Sequence, residues 1–115
     1  MMEQTRAHLS ETIGTEMIME SADMRAQILT LAAGQHVPWH YHSTITDVIV
    51  CLEGPMIVET RAPRARHQLQ PTEQCSIPPK TAHCVHGLDD GPCRYLVLQG
   101  VGRYDYVEVG RRSGA

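Results

Sequence analysis

The chain has 115 residues, of which 42% are hydrophobic and 20% are charged, with no Phe and a single Trp. This length allows one hydrophobic core but not two, so we expect a single domain over residues 1–115. The net charge of −3 argues against a nucleic-acid partner. No apolar run resembles a signal peptide or could cross a membrane, so we expect a cytoplasmic protein.

Short apolar runs separated by Gly, Pro and polar clusters predict an all-β chain. In chain order, strands are predicted at residues 16–20, 24–32, 37–42, 47–53, 56–61, 66–69, 75–77, 83–86 and 94–101. One small sheet cannot bury both of its faces, so these strands should form a sandwich or barrel. We expect the barrel core at about residues 16–109, with loose ends on either side. The interior of such a barrel holds one small ligand or one metal ion.

The clearest chemical pattern lies between residues 34 and 54. It consists of Gly34, five residues, His40-Tyr41-His42, four residues, Asp47, six residues and Gly54. Two histidines at positions i and i+2 share one face of a strand, because strand side chains alternate. A carboxylate follows after a short turn, and His83 comes later in the chain. Since imidazole and carboxylate are the ligands shared by several transition metals, the spacing predicts a metal site in a small β-barrel.

These segments resemble the two sequence motifs of the cupin superfamily, whose fold is a double-stranded β-helix, or jelly-roll barrel. The first motif matches in every spacing, with Asp47 in place of the usual Glu. In the second motif, Pro78 and His83 match. The departures are Thr72 and Lys80 in place of glycines and Gly87 in place of Asn. The resemblance extends over about residues 26–101 and implies an all-β, double-stranded β-helix fold.

The resemblance also implies that His40, His42, Asp47 and His83 bind one divalent transition metal per chain, with Fe, Zn, Ni and Mn all open. Three neutral imidazoles and one carboxylate leave a net charge of +1 on the ion. An octahedral ion also keeps two open positions, which suits a catalyst. Asp47 is shorter than Glu, so it either binds the metal directly or hydrogen-bonds a ligand histidine. The alternative is that all four are ordinary polar residues on a sheet.

Three further residues are candidates for the pocket and for catalysis. Cys51 shares the strand face of Asp47 and either lines the pocket or fills the core as a small residue. Tyr95 and Gln99 share one face of the last predicted strand and would be polar groups in an otherwise apolar pocket. Tyr95 alternatively packs with its hydroxyl at the surface. The other cysteines, Cys75, Cys84 and Cys93, are expected to be reduced and structural.

Trp39 and Tyr41 flank His40 and therefore point to the opposite face of their strand. Two aromatic residues there should not be left in water, so we expect a cover from a second subunit or from the N-terminal segment. Cupins often dimerise in this way, which favours a homodimer, and packing against a loop is the competing explanation. The remaining histidines, His8, His36, His67 and His86, lack ligand spacing and are expected at the surface.

The resemblance favours a metal-dependent enzyme that acts on a small organic substrate. We favour a dioxygenase over an isomerase or lyase, because the ligand face offers no obvious His or Glu base apart from Glu59, which leaves Tyr95 and Cys51 as the alternative bases. The main alternative is a non-catalytic module that binds a small ligand, and a metal-free structural cupin is a third class. The segment 103–106 follows two glycines and either closes one mouth of the barrel or makes edge contacts.

Overall fold

A computed structural model describes residues 13–109, and the expected loose ends lie outside this range. The strands are β1 (Gly14–Glu20), β2 (Met24–Leu31), β3 (His36–Tyr41), β4 (Thr46–Glu53), β5 (Met56–Thr60), β6 (Ala65–Leu69), β7 (Gln74–Ile77), β8 (His83–Gly87), β9 (Cys93–Gly100) and β10 (Val107–Glu108). A short 3-10 turn covers Leu88–Asp90. All nine predicted strands are present, with ends shifted by no more than two residues, and β10 is additional. No helix in the described range is long and apolar enough to span a membrane.

The strands form two antiparallel sheets of five strands each. The first sheet has the order β1-β2-β9-β4-β7, and the second has the order β10-β3-β8-β5-β6. The chain passes repeatedly from one sheet to the other, as it does between β2 and β3 and between β3 and β4. Two sheets wound in this manner bury their inner faces against each other. The predicted all-β, double-stranded β-helix fold is confirmed. That all 115 residues form one domain stays a prediction.

The alternation of side chains explains how the interior is filled. Every second residue of β2, β4 and β9 is buried, and the residues between them are largely half-buried. In β5, the inward set is Met56, Val58 and Thr60, so Glu59 points away from the barrel interior. The core cluster comprises Ile13, Leu29, Leu31, Val37, Ile49, Cys51, Met56, Val58, Leu69, Ile77, Val85, Cys93, Tyr95 and Val97.

The barrel interior is apolar at one end and polar at the other. Gln99 on β9 pairs with Arg25 on β2 and with Asp47 on β4, and all three are buried. Towards the other end of β9, Cys93 pairs with Leu31, and both are buried and apolar. Buried polar groups are costly unless they are hydrogen-bonded or bind a ligand. The apolar end therefore supplies most of the stability, and the polar end is where a ligand can be held.

Positions that the cupin motifs reserve for glycine have distinct physical requirements here. Gly34 has a φ of 85°, and a Cβ at Gly54 would lie 2.8 Å from the sulfur of Cys51. Thr72 and Lys80, which stand where glycines are usual, have φ values of 80° and 63°. This left-handed backbone costs a non-glycine residue about 1–2 kcal/mol. The chain thus keeps the backbone conformation of the motif although the two glycines are absent.

The outer face of the second sheet carries the two aromatic residues that suggested a covered surface. Trp39 and Tyr41 are both half-buried, next to a register irregularity in β3 between Val37 and His40. The guanidinium carbon of Arg61 lies 3.9 Å from the centroid of the Trp39 ring. A loop residue therefore covers one face of Trp39, as the competing explanation expected. The N-terminal segment proposed as a cover lies outside the described residues.

Candidate metal centre

Four potential ligands converge at the polar end of the barrel. His40 lies near the end of β3, His42 directly follows that strand, and Asp47 and His83 lie at the starts of β4 and β8. Their exposed fractions are only 4%, 3%, 3% and 1%, in that chain order. Their ligand atoms all lie within 4.8 Å of one another. The structure thus brings together all four residues that were predicted as metal ligands.

Each of the three histidine rings is oriented by a backbone carbonyl. Nδ1 of His40 lies 2.7 Å from the carbonyl oxygen of Pro38. Nδ1 of His42 lies 2.5 Å from the carbonyl oxygen of Asp105, and Nδ1 of His83 lies 2.8 Å from that of Thr81. A carbonyl oxygen only accepts hydrogen bonds, so each Nδ1 carries a proton. Each Nε2 is therefore left to face the cluster. Such outer contacts orient ligand histidines in metalloproteins.

The carboxylate of Asp47 lies among the ring nitrogens. Its Oδ2 is 3.1 Å from Nε2 of His42 and 3.0 Å from Nε2 of His83. Its Oδ1 accepts a hydrogen bond of 3.0 Å from the side-chain amide of Gln99, whose oxygen is in turn 3.3 Å from Nε2 of Gln27. Neutral rings protonated on Nδ1 would present only acceptors to the carboxylate. A cation, either a proton or a metal ion, is therefore required between them.

Burial and mutual contacts shift the ionisation of the cluster. Burial, reinforced by the proximity of His83 and His42, lowers the pKa of His40 to about 3. Burial also opposes the charged form of His42, but the hydrogen bond with Asp47 outweighs it and raises the pKa of His42. Burial disfavours ionised Asp47 as well, yet the contacts with His42 and His83 hold the pKa of that carboxyl well below its ordinary value. The cluster thus contains an anion and a neutral imidazole at neutral pH, the ionisation states in which these groups bind metal.

The cluster opens into a cavity of about 30 Å³, which leaves room for an ion and one or two water molecules. Tyr95 and Gln99, two of the predicted pocket residues, line it. Tyr95 is almost fully buried, and burial raises the pKa of its phenol well above the ordinary value. Cys51, the third candidate, is fully buried in the apolar core, and burial raises the pKa of its thiol. The structure therefore brings Tyr95 and Gln99 to the cluster of four candidate metal ligands and places Cys51 apart from it.

Tyr104 and Tyr106, from the segment after β9, form the remaining wall of the cavity, which we call the tyrosine wall. The ring of Tyr106 stacks on His40, with centroids 4.4 Å apart and planes inclined by 15°, and the ring of Tyr104 lies 5.4 Å from His42. The carboxylate of Asp105, between them, accepts hydrogen bonds from the backbone N–H and the hydroxyl of Ser43, at 2.7 and 2.6 Å. Segment 103–106 thus closes one mouth of the barrel, one of its two expected roles.

The chain matches the family model described as Cupin domain over residues 27–106, more than half of its length. The chain is a cupin. Similar solved structures include a cupin superfamily protein from Desulfitobacterium hafniense DCB-2 (15% identity, TM-score 0.68, 77% of each chain covered) and an RmlC-like cupin from Desulfovibrio desulfuricans (24% identity, TM-score 0.66, 78% of this chain and 83% of that one). The DMSP lyase DddQ from Ruegeria pomeroyi DSS-3 is 20% identical with a TM-score of 0.73, but this chain covers only 55% of it, and 90% of this chain is aligned. These likenesses concern the fold, and no curated protein sequence matches significantly.

The donor set of this cupin fits a divalent transition metal. Donors bound to one ion at about 2.0–2.2 Å lie up to about 4.4 Å apart, so a span of 4.8 Å is close to the size of a coordination shell. Sequence reasoning identified the four donors but missed Tyr104 and Tyr106 as individual site residues. The available signal was two tyrosines at positions i and i+2 after a pair of glycines, in the segment expected either to close a mouth or to make edge contacts.

Proposed function

We propose that this cupin is a metal-dependent enzyme that acts on a small organic substrate by proton transfer, as an isomerase or lyase. The observation that supports this proposal is the packing of Tyr106 and Tyr104 against the ligand histidines His40 and His42. The preference for dioxygenase chemistry depended on the lack of an obvious His or Glu base on the ligand face, with only Tyr95 and Cys51 as alternatives. Two phenols now lie there, and one solved structure of similar fold is named a lyase. The dioxygenase is the second candidate, since three imidazoles and a carboxylate leave two metal positions open.

The four donors, Gln99 and the two tyrosines have separate roles in the proposed reaction. A divalent ion held by the four donors supplies Lewis acidity towards a substrate oxygen. Gln99 holds one oxygen of Asp47, so the other oxygen faces the ring nitrogens of the histidines. Burial, with Glu108 and Tyr104 nearby, raises the pKa of Tyr106, so its phenol is protonated at neutral pH. It first donates that proton to a substrate oxygen, and the phenolate left behind then takes the proton from the neighbouring substrate carbon. The tyrosine wall also keeps bulk water away from the reacting atoms.

The size of the cavity restricts the substrate. The free space of about 30 Å³ holds an ion and one or two water molecules, so we expect segment 103–106 to move when an organic substrate enters. The hydrogen bonds between Asp105 and Ser43 hold that segment in its closed position. We therefore expect a small substrate with an oxygen that can bind the metal.

Metal analysis tests the first part of the proposal. Protein purified anaerobically without a His-tag should contain metal, and His40→Ala and His83→Ala should each contain one ion less per chain. Both variants should keep the circular dichroism spectrum of the wild type, because the apolar end of the barrel supplies most of the stability. Asp47→Ala should weaken metal binding as much as a histidine loss if it is a ligand, and less if it only hydrogen-bonds. Equal metal content in wild type and His40→Ala would contradict the proposed centre.

Isotope exchange tests the proton transfer. In D₂O, the metal-loaded enzyme should exchange the acidic C–H of small keto acids and hydroxy acids, and Tyr106→Phe should lose this exchange while it retains the metal. Tyr41→Phe, on the outer face of β3, is the matched control and should remain active. Oxygen consumption with iron bound, at the same rate in wild type and Tyr106→Phe, would favour the dioxygenase. Tight metal and ligand binding without turnover would favour the non-catalytic binding module.

We also propose that the chain forms a homodimer. Besides the face that carries Trp39 and Tyr41, the outer face of the first sheet is a candidate interface. The half-buried side chains on the outer face of the first sheet are apolar across three adjacent strands: Ala26, Leu98 and Val48 in one row, and Ile28, Leu96 and Val50 in the next. Contiguous apolar surface of this kind is typical of subunit interfaces. Analytical ultracentrifugation should show a dimer that Leu96→Glu dissociates. Dissociation by Tyr41→Glu instead would assign the interface to the second sheet, and a monomeric wild type would contradict the prediction.

A further inference from the structure

A second group of metal-ligating side chains lies on the outer face of the second sheet. It consists of Glu59 on β5 and of Cys84 and His86 on β8, and we call it the outer cluster. One ligand atom from each of these residues lies within 4.8 Å of those of the other two. Apart from the metal centre described above, it is the only such group of three or more donors among residues 13–109. Sequence reasoning had assigned Cys84 a structural role and placed His86 at the surface.

The strand register explains why these three side chains meet. Glu59 and Cys84 are direct partners across the antiparallel pair of β5 and β8. His86 lies two residues further along β8, so it shares the face of Cys84. The residues of β8 that alternate with them, His83 and Val85, point into the barrel, where both are almost fully buried. The outer cluster and the metal centre are therefore on opposite faces of one strand.

The ring of His86 is oriented as a metal-binding histidine would be. Its Nδ1 lies 2.9 Å from the carbonyl oxygen of Gly87, so Nδ1 carries a proton. Its Nε2 faces Oε2 of Glu59 at 2.8 Å. With Nδ1 protonated, a neutral ring and a carboxylate both present lone pairs at this contact. A cation is required there, and it is either a second ring proton or a metal ion.

The third donor distinguishes a metal site from a simple ion pair. A histidine and a glutamate can form a salt bridge without any metal ion, and such pairs at a partly exposed surface contribute little stability. The thiol of Cys84 has no part in such a pair, yet it lies within reach of both groups and is only 7% exposed. Sulfur, imidazole nitrogen and carboxylate oxygen together form a donor set suited to Zn²⁺. Half-buried Glu59 and His86 leave an entry path from solvent.

We propose that Glu59, Cys84 and His86 bind a second divalent ion of the zinc type, separate from the metal centre in the barrel. The three side chains supply three of four tetrahedral positions, and the fourth faces solvent and takes water. On binding, the Cys84 thiol releases its proton to solvent and binds as the thiolate. The ion joins neighbouring strands β5 and β8 on the face opposite the barrel interior.

Cobalt titration of reduced, metal-free protein tests the proposal, because cobalt bound to a thiolate gives an intense near-ultraviolet charge-transfer band. The barrel centre has no sulfur ligand, so its cobalt gives no such band. We expect the band in the wild type and also in His40→Ala, which separates this result from the fate of the barrel centre. Addition of Zn²⁺ should abolish the band by displacement. Absence of the band at saturating cobalt in the wild type would overturn the proposal.

Three variants locate the site. Cys84→Ser should lose the band and bind one Zn²⁺ less per chain than the wild type. His86→Gln, at a half-buried position and with little risk to folding, should weaken cobalt binding at least tenfold. Cys75→Ser, which removes a half-buried thiol from the first sheet, is the matched control and should keep the band. A band that persists in folded Cys84→Ser, or unchanged cobalt affinity in His86→Gln, would show that the outer cluster is only an ion pair beside a buried thiol.

Discussion

Replacement of Gln99 by leucine tests how the carboxylate of the metal centre is held. The amide of Gln99 donates to Oδ1 of Asp47 at 3.0 Å, and the two residues are 6% and 3% exposed. Leucine has a similar volume and no polar atom, so Gln99→Leu removes the hydrogen bond without a large cavity. The bond of 3.3 Å between Gln27 and Gln99 is lost as well.

The expected loss follows from the charge and burial of the acceptor. A hydrogen bond to a charged group contributes about 1.5–3 kcal/mol, and a buried carboxylate oxygen without a donor costs a similar amount. For a domain of this size, each kcal/mol shifts Tm by about 4–8 °C, so metal-free Gln99→Leu should melt at least about 6 °C below the wild type. Loss of a residue that orients a ligand typically costs about 10–100-fold in metal affinity, which we expect here.

Thermal melts of metal-free protein and competition with a chromophoric chelator measure the two effects. Gln27→Leu is the matched control, since it breaks only the contact between two neutral amides and should cost about 0.5–1.5 kcal/mol. Its metal affinity should stay within a few-fold of the wild type. Wild-type affinity in Gln99→Leu, or equal losses of affinity in both variants, would refute the role of Gln99 in positioning Asp47.

Three further predictions concern the backbone, the ionisation and the closed segment. Thr72→Gly should raise the free energy of unfolding by about 0.5–1 kcal/mol in urea titrations, because relief of left-handed strain exceeds the entropy cost of glycine, whereas Thr72→Ala keeps a Cβ and should not. In unfolded metal-free protein, His40 takes up a proton when the pH falls below its ordinary pKa of 6.5, whereas in the folded protein its pKa is about 3. Stability relative to His40→Gln should therefore fall by about 1.4 kcal/mol per pH unit between about pH 6 and 4, and a flat difference would contradict the buried neutral ring. Asp105→Ala removes the two hydrogen bonds from Ser43, so a chelator should extract bound metal faster than from the wild type.

The strands were predictable because the sequence alternates where one face of a strand is buried. In β4, Asp47, Ile49 and Cys51 are buried, and the residues between them are half-buried, as the alternation predicts. The ligand histidines were predictable for the same reason. The register irregularity in β3 ends at His40, so the face shared by His40 and His42 is preserved. Local residue spacing was therefore sufficient to predict both the fold and the four candidate donors.

The tyrosine wall was not predictable in this way. Segment 103–106 carries two tyrosines at alternate positions but is too short to be recognised as a strand, and its position depends on contacts with residues distant in sequence. Asp105 reaches Ser43 across 62 residues, and Thr44 donates to the carbonyl of Arg103 across 59. The inward face of β5 was ambiguous for a different reason. Ile57 is as fully buried as Met56 and Val58, so hydrophobicity alone did not distinguish its two faces.

The outer cluster shows what a motif-based search leaves unexamined. A family motif identifies residues that point into the barrel, and on β8 it selects His83. Cys84 and His86 lie on the other face of β8. They are two residues apart, as His40 and His42 are, but they fall outside the motif. Buried Val85, between them, fixes the register, because a shift by one residue would turn it out of the core. The packing that directs His83 towards the candidate metal centre therefore also directs Cys84 and His86 towards Glu59, so one strand contributes donors to both proposed metal sites.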